Sequence, residues 1–177
     1  MFEKTVYDKA SNFLNKNKLM TNIQHGFRNN SSTDLAASDI YESLLENIGK
    51  GKSTAAVFLN RSKAFDTVDH KIFLRKLMYY AVIVEVRKSL LLNVTLTNRN
   101  HCNEVNSYWS SFQTTECGVA QGSVISPLLF LIYVNDLSCA SSFQTTLFTD
   151  DTSLDFSHKD IKTLQINELD KVNDKNN

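Results

Sequence analysis

Proline, glycine and cysteine are scarce in this 177-residue chain, which has one proline, five glycines and three cysteines. Turns must therefore depend on Asn, Asp and Ser. The cysteines form no CxxC pair and no ligand-spaced set with the four histidines. This argues against a disulfide framework or a zinc module and favours a reducing compartment. The longest apolar run, Pro127 to Val134, is too short to span a bilayer, so we expect no membrane partner.

Net charge is also absent, because 19 basic residues balance 19 acidic ones. Taken alone, this argues against a free-standing nucleic-acid binder, which is usually basic. The charges are nevertheless uneven. Residues 1–100 contain 15 basic and 9 acidic residues, a net charge of +6, and residues 101–177 contain 4 and 10, a net charge of −6. Either the two halves have different roles, or chance and an acidic tail produce the difference.

Apolar residues at three- to four-residue spacing predict several helices. They are expected over residues 3–18, 34–48, 68–80 and 123–137, with a mostly helical stretch over 81–99. We expect Asp66-Thr67 to cap the helix that starts at residue 68, and Ser123 to cap the helix that contains Pro127. The helix over 68–80 is predicted to turn its apolar side chains inward: Val68, Ile72, Leu74, Leu77 and Met78.

Strands are predicted in three places. The short apolar run over residues 54–59 is typical of a buried strand, and it ends at Asn60. Residues 103–118 are expected to form a strand pair around Tyr108, Trp109 and Phe112. Residues 145–156 are expected to form a hairpin.

The tip of that last hairpin is Thr149-Asp150-Asp151-Thr152. Adjacent Asp residues in a turn are most often turn formers, because their side chains bond the nearby backbone. Here apolar strands on both sides would hold two like charges together at the rim of a sheet. Such a pair needs a cation, and Mg²⁺ is the natural candidate for oxygen ligands.

Four stretches along the chain have a more specific composition. They are Gln24-His25-Gly26-Phe27-Arg28 with Ser31-Ser32-Thr33 behind it, Phe58 to His70, Gly118 to Leu137, and Leu147 to Thr152. In this order they resemble the reverse transcriptase domain of non-LTR (LINE-type, jockey-like) retrotransposons. The resemblance covers about residues 2–156, and the stretch from Gly118 to Leu137 is its most specific part.

The resemblance implies an RNA-directed DNA polymerase that uses two Mg²⁺ ions, an RNA template, a DNA primer and dNTPs. Asp150 matches the main metal ligand of the pair and Asp151 its partner. Phe65 matches the aromatic residue under the nucleotide sugar, with a core residue as the alternative. Lys63 and Asp66 belong to the same stretch as Phe65, and they could be an ion pair and a helix cap instead.

Three further positions acquire roles from the same resemblance. Gln121 matches the loop glutamine near nucleotide and template, with a satisfied loop amide as the alternative. Gly122 would allow close approach of the backbone there. Arg28 lies in a fingers-like segment and could contact a phosphate, or it could be an ordinary surface arginine.

The sequence departs from the family pattern at the position that matters most for metal binding. Asn60 stands where the family has its first catalytic Asp. An Asn carbonyl oxygen can contact a metal ion but brings no negative charge, so we expect weakened Mg²⁺ binding and little activity. Ala120 replaces the usual Pro, Ser126 the usual Gly and Thr149 the usual Ala, and these are milder changes.

The fold class that the resemblance implies is α+β, a right-hand polymerase palm with a small antiparallel sheet and helices on one face. We expect a partial fingers segment over residues 1–53, a palm-like core over 54–156 and a polar tail over 157–177. The thumb and an upstream endonuclease would be missing. Three functions stay open: an impaired polymerase, a non-catalytic nucleic-acid-binding remnant, and an inert retroelement fragment.

Overall fold

The computed structural model describes residues 2–80, 100–115, 117–140 and 143–162, so the helical stretch predicted over 81–99 lies outside the described residues. The chain divides into two compact units. The first contains Met1–Thr21 and Ser62–Asn135, and the second contains Asn22–Arg61 and Asp136–Asn177. Each unit therefore combines segments that are distant in sequence.

The described residues form helices and short strands in mixed order. In chain order they are α1 (Phe2–Lys16), α2 (Thr33–Gly49), β1 (Ser53–Leu59), α3 (His70–Tyr79), β2 (Asn100–His101), β3 (Glu104–Val105), β4 (Tyr108–Trp109), β5 (Gln113–Thr114), α4 (Ser126–Val134), β6 (Gln144–Phe148) and β7 (Asp151–His158), with 3₁₀ turns at Ala64–Thr67 and Leu137–Ala140. None of the described helices is long and apolar enough to cross a membrane.

The core of the first unit is built from α1, α3 and α4. The apolar face of α1 is buried as predicted, through Val6, Ala10 and Leu14. Helix α4 has almost no polar face, and seven of its residues are buried, from Ser126 to Val134. A helix that is hydrophobic all round requires cover on every side, which makes α4 the centre of this unit.

Helix α3 begins two residues later than predicted, and this changes its cap and its buried face. The cap is Asp69 and not Asp66-Thr67. The Oδ1 atom of Asp69 accepts a hydrogen bond of 2.8 Å from the Ile72 amide, and this bond lowers the pKa of the Asp69 carboxyl. The buried side chains are His70, Phe73 and Leu77. The predicted core residues Ile72 and Met78 are instead 41% and 60% exposed.

Helix α4 is shorter than predicted at both ends. It starts at Ser126, so Ser123 is not its cap, although the Ser123 hydroxyl accepts a bond from the Ile125 amide at 3.3 Å. It ends at Val134, and the next residue, Asn135, forms side-chain hydrogen bonds with residues outside the helix. The Asn135 amide donates to Leu19 O at 2.8 Å and to Tyr80 Oη at 2.9 Å, and it accepts from the Thr21 amide.

The strand pair predicted over 103–118 is present but starts earlier. Strand β2 pairs with β5, and β3 pairs with β4 through the turn at Asn106-Ser107. All eight residues in these four strands are exposed, and so is Phe112. This hairpin therefore adds nothing to the core.

The second unit contains a three-stranded antiparallel sheet in the order β1-β7-β6, with α2 packed against β1 and β6. The strand predicted over 54–59 is confirmed, but it is an edge strand rather than a buried one. Its residues Ala56 and Phe58 are exposed, Phe58 by 72%. In a sheet with one open face only every second side chain of a strand can be covered, and here Ala55, Val57 and Leu59 are half-buried.

Helix α2 begins where the sequence predicted, because the Ser32 hydroxyl accepts a bond from the Leu35 amide. Its buried residues are small, namely Ala36 and Ser43. Of the larger apolar residues of α2, Leu35, Leu45 and Ile48 are exposed, whereas Ile40 and Leu44 are half-buried. The fully buried positions of α2 therefore carry small side chains, and the larger apolar residues divide between a half-buried and an exposed side of the helix.

Candidate functional site

The two adjacent Asp residues lie at the tip of the β6–β7 hairpin, as predicted. The register pairs Phe148 with Asp151, so Thr149 and Asp150 are the two turn residues. Asp150 is half-buried and Asp151 is exposed. A two-residue turn fixes both carboxylates within one tight loop at the end of the sheet.

Asn60 lies at the same end of the same sheet. Strand β1 is antiparallel to β7, and its last residue, Leu59, pairs with Thr152. Extending that register by one residue places Asn60 opposite Asp151. The structure therefore brings together the three residues that the sequence grouped as catalytic: Asn60, Asp150 and Asp151.

The donor chemistry of this group fits a hard divalent cation only in part. Two carboxylates and an amide supply oxygen atoms, which are the ligands that Mg²⁺ prefers. Only Asp150 and Asp151 carry charge. In the part of the chain that the structure describes, no three Asp, Glu, His or Cys side chains form a group able to hold a metal ion.

Phe65, Gln121 and Gly122 belong to the first unit. The Phe65 ring stacks on Phe130 with centroids 4.5 Å apart and remains half-buried. The Gln121 amide donates to Asp66 Oδ1 at 3.1 Å, while both Gln121 and Gly122 are exposed. Each feature is compatible with the structural alternative, a core phenylalanine and a satisfied loop amide, as well as with a ligand-facing role.

The loop that carries Gln121 is tied to the segment around Phe65. The Gly118 amide donates to Val68 O at 2.8 Å and the Val119 amide to Phe65 O at 2.9 Å. At Gly118 φ is +87°, and a Cβ there would lie 3.0 Å from Asp66 O. Glycine is thus required by both backbone conformation and space. No ion pair joins Lys63 and Asp66 in the described residues; Asp66 bonds Gln121 instead.

Arg28 lies in the second unit, in the segment between Gln24 and α2, and is half-buried. His25 holds this segment in place, since its Nδ1 lies 3.0 Å from Ser31 Oγ and its Nε2 lies 3.1 Å from Asp39 Oδ2. These contacts hold the backbone segment that carries Arg28.

Sequence reasoning missed a contact between this segment and the hairpin. Gln24 forms a parallel bridge with Leu147 of β6, supported by the bonds His25 N to Leu147 O and Leu147 N to Ile23 O. A Cβ on Gly26 would overlap Thr149. A glycine inside a polar stretch was the only signal, because it permits close approach of another backbone.

Known proteins support the resemblance. The family described as "Reverse transcriptase (RNA-dependent DNA polymerase)" matches residues 2–175. In Drosophila melanogaster, the probable RNA-directed DNA polymerase from transposon BS is 26% identical over 145 residues, and that from mobile element jockey is 25% identical over 139. These alignments cover 81% and 77% of this chain but only 16% and 15% of the relatives.

Solved structures show the same fold. Apo telomerase from Candida tropicalis superposes with a TM-score of 0.66 at 12% identity, covering 98% of this chain and 33% of that one. A form truncated from the C-terminal domain gives 0.58 at 14% identity, covering 96% and 37%. The predicted α+β polymerase fold class is confirmed, and the chain belongs to the reverse transcriptase family.

Proposed function

We propose that this chain carries the nucleotidyl-transfer site of a retrotransposon reverse transcriptase, and that the site is impaired. The reaction would add dNTPs to a primer 3′-hydroxyl on an RNA template. One observation carries the proposal: β1 and the β6–β7 hairpin bring Asn60 to the same sheet end as Asp150 and Asp151. The family reaction needs acidic ligands at this point, and the chain supplies two.

Asp150 and Asp151 are the proposed ligands of divalent metal, with Asn60 contributing at most a neutral oxygen. When bound, Mg²⁺ ions would offset the charge of the nucleotide phosphates and of the attacking oxygen. Loss of one carboxylate from the residues that would hold the cations should cost about 4 kcal/mol in transition-state stabilisation, which is about 10³-fold in rate. Asn at position 60 has nearly the shape of Asp but lacks its negative charge.

The substrate contacts proposed for the remaining residues follow from their surroundings. Phe65 stacks on Phe130 and is half-buried, and its exposed part would lie under a nucleotide sugar. Gln121 is held by Asp66 in an exposed loop, ready to contact nucleotide or template. A Cβ on Gly122 would meet nothing within 4 Å, so the backbone is open to a ligand there. Arg28 would pair with a phosphate.

The proposed organisation is a partial fingers segment over residues 1–53, a palm-like core over 54–156 and a tail over 157–177. The chain spans about one sixth of the length of the mobile-element polymerases that it matches. We propose that template and primer are held largely by regions such as a thumb, and that an endonuclease region accompanies them in a longer element.

A primer-extension assay with Mg²⁺ on an RNA template tests the proposal. The parent chain should give no detectable product, Asn60→Asp should extend at least about 10³-fold faster, and Asp150→Ala should abolish that gain. Asn12→Asp adds the same charge on the exposed face of α1 and should gain nothing. Equal extension by the parent and Asn60→Asp would overturn the claim of impairment, and no extension by Asn60→Asp would overturn polymerase activity in this chain alone.

A second candidate is a non-catalytic nucleic-acid-binding remnant. The charge asymmetry favours it, because residues 1–100 have a net charge of +6 and could hold RNA through its phosphates. This function needs no metal and no acid at position 60. An inert fragment is the remaining alternative, and it predicts no binding at low salt.

A further inference from the structure

We infer that Gln24 is a positioning residue that holds the Asp150–Asp151 turn in place through the backbone of Thr149. Its consequence for catalysis rests on the function proposed above, whereas its effect on the turn does not.

The Gln24 side chain bonds both backbone groups of Thr149. Its Nε2 donates to Thr149 O at 3.2 Å, and its Oε1 accepts from Thr149 N at 2.9 Å. The same Oε1 accepts from Gly26 N at 2.7 Å. Gln24 is 2% exposed, so these bonds form away from water. Because one planar amide bonds a carbonyl and an N–H of the same residue, it restrains the orientation of that residue as well as its position.

Thr149 needs this restraint. Its φ is +59°, whereas Asp150, the second turn residue, is not among the residues with positive φ. Two-residue hairpin turns with positive φ only at the first position strongly favour glycine there, and a β-branched residue is disfavoured. Without bonds from outside the hairpin, Thr149 would relax toward negative φ and carry Asp150 with it.

Gln24 is itself anchored. Its own backbone forms the bridge to Leu147, two residues before Thr149, through hydrogen bonds of 2.8 and 2.9 Å on either side. Gly26 completes the arrangement, because any larger residue would collide with Thr149. The Gln24 side-chain amide therefore reaches the turn from a backbone segment that is bridged to β6. In the described residues it forms no hydrogen bond with an Asp side chain.

The matched pair Gln24→Met and Gln144→Met separates this role from general packing. Met keeps the volume of Gln24 and removes its three hydrogen bonds, while Gln144 is an exposed glutamine of β6. Gln24→Met should speed hydrogen exchange of the Thr149 amide about tenfold or more, as expected for loss of one buried hydrogen bond. It should also move the Asp150 and Asp151 amide resonances in metal-free protein. Gln144→Met should do neither, and unchanged exchange in Gln24→Met would overturn the inference.

The double variant with Thr149→Gly keeps the test sharp if Gln24→Met folds poorly. Glycine accepts positive φ, so the fall in Tm caused by Gln24→Met should be smaller in the Thr149→Gly background. An equal or larger fall would show that Gln24 does not act through the turn.

The catalytic consequence is measured separately, in the Asn60→Asp background. Adding Gln24→Met should lower the primer-extension rate at least about tenfold at saturating dNTP with little change in KM, and Thr149→Gly should restore part of the rate. Unchanged extension with faster Thr149 exchange would refute the catalytic part alone. If Asn60→Asp itself fails to extend a primer, the proposed function fails while the exchange experiment still decides the role of Gln24.

Discussion

Asn60 differs from aspartate by one amide group, and its shape is almost the same. Replacing Asp by Asn at the end of β1 therefore leaves packing and strand register unchanged, and it removes one negative charge. Three carboxylates at one sheet end repel one another unless a cation is bound. With Asn60 present, the metal-free site has less charge repulsion. We therefore expect Asn60 to stabilise the metal-free chain and to lower its affinity for cations.

Asp155, four residues beyond Asp151 on β7, is the buried acid of the second unit. Its side chain is 5% exposed, Ser153 Oγ donates to Oδ1 at 3.2 Å, and Oδ2 has no hydrogen-bond partner in the described part of the chain. Burial raises the pKa of the Asp155 carboxyl above its ordinary value of 3.8, opposed by the Ser153 bond. The folded state thus resists ionisation of this group.

This burial predicts a loss of stability as the pH rises. Below pH 3.8 the Asp155 carboxyl is protonated in both the folded and the unfolded chain. As the pH rises above 3.8 the carboxyl ionises first in the unfolded chain, so the free energy of unfolding falls until the pH passes the raised pKa of the folded state. Asp155→Asn should therefore raise the free energy of unfolding at pH 7 by about 1 kcal/mol, and Tm with it. It should have little effect on either quantity below about pH 4.

Thermal unfolding across this pH range checks the prediction. Asp8→Asn, on the exposed face of α1, is the control and should leave the profile unchanged. A stabilisation of equal size at every pH would mean that ionisation is not its source.

At the scale of single residues the sequence predicted that Asp150 and Asp151 lie at a hairpin tip, but it did not predict the contacts that support this turn. Asp150 and Asp151 could be placed at a turn because breakers and apolar strands flank them locally. Gln24 could not be placed, since its partner Thr149 lies 125 residues away and no local pattern encodes that distance. The same holds for Asp66, whose bond to Gln121 depends on the fold of the first unit.

Among the elements, β1 is the least protected. Within the described part of the chain it has one hydrogen-bonded neighbour, β7, and its seven residues include no charge, proline or glycine. Natural edge strands usually carry such residues because an open edge can pair with another chain. The exposed side chains of Ala56 and Phe58 add apolar surface at this edge.

We expect the chain to self-associate through β1 as its concentration rises. Ala56→Lys places a charge at the centre of this edge and should shift the chain toward monomer, as measured by sedimentation velocity. Ala37→Lys makes the same substitution at an exposed position of α2 and should leave association unchanged. A parent that stays monomeric, or equal effects of the two variants, would contradict the prediction.

The helices show what periodicity can and cannot predict. Helix α1 has one apolar face, and its buried residues follow directly. In α3 the cap moved to Asp69, and the buried face moved with it toward Phe73. In α2 the fully buried residues are Ala36 and Ser43, while Leu35, Leu45 and Ile48 are exposed. Which face of a helix is buried depends on the surface against which the helix packs. The sequence of the helix alone does not specify that surface.

Over the whole molecule, the charge asymmetry follows the two units as well as the two halves of the sequence. The first unit contains 11 basic and 7 acidic residues, a net charge of +4, and the second contains 8 and 12, a net charge of −4. The zero net charge of the chain is therefore an average over a basic and an acidic body. A basic body suits phosphate contacts, and an acidic one suits cations.

This division predicts RNA binding through the first unit. The parent should bind single-stranded RNA at low salt, with an affinity that falls steeply as salt is added. Lys71→Glu, on the exposed face of α3, should weaken binding, while Lys159→Glu, exposed in the second unit, should weaken it less. A binding titration at two salt concentrations measures both effects. No binding at low salt would favour an inert fragment.

A Mn²⁺ titration of the parent and Asn60→Asp, followed by electron paramagnetic resonance, tests most directly whether the proposed metal site lacks one carboxylate. Asn60→Asp should bind Mn²⁺ at least about tenfold more tightly, should melt at a lower temperature than the parent in EDTA, and should regain stability when Mn²⁺ is added. Asp150→Ala should remove the gain in affinity. Equal Mn²⁺ affinities of the parent and Asn60→Asp would contradict the claim.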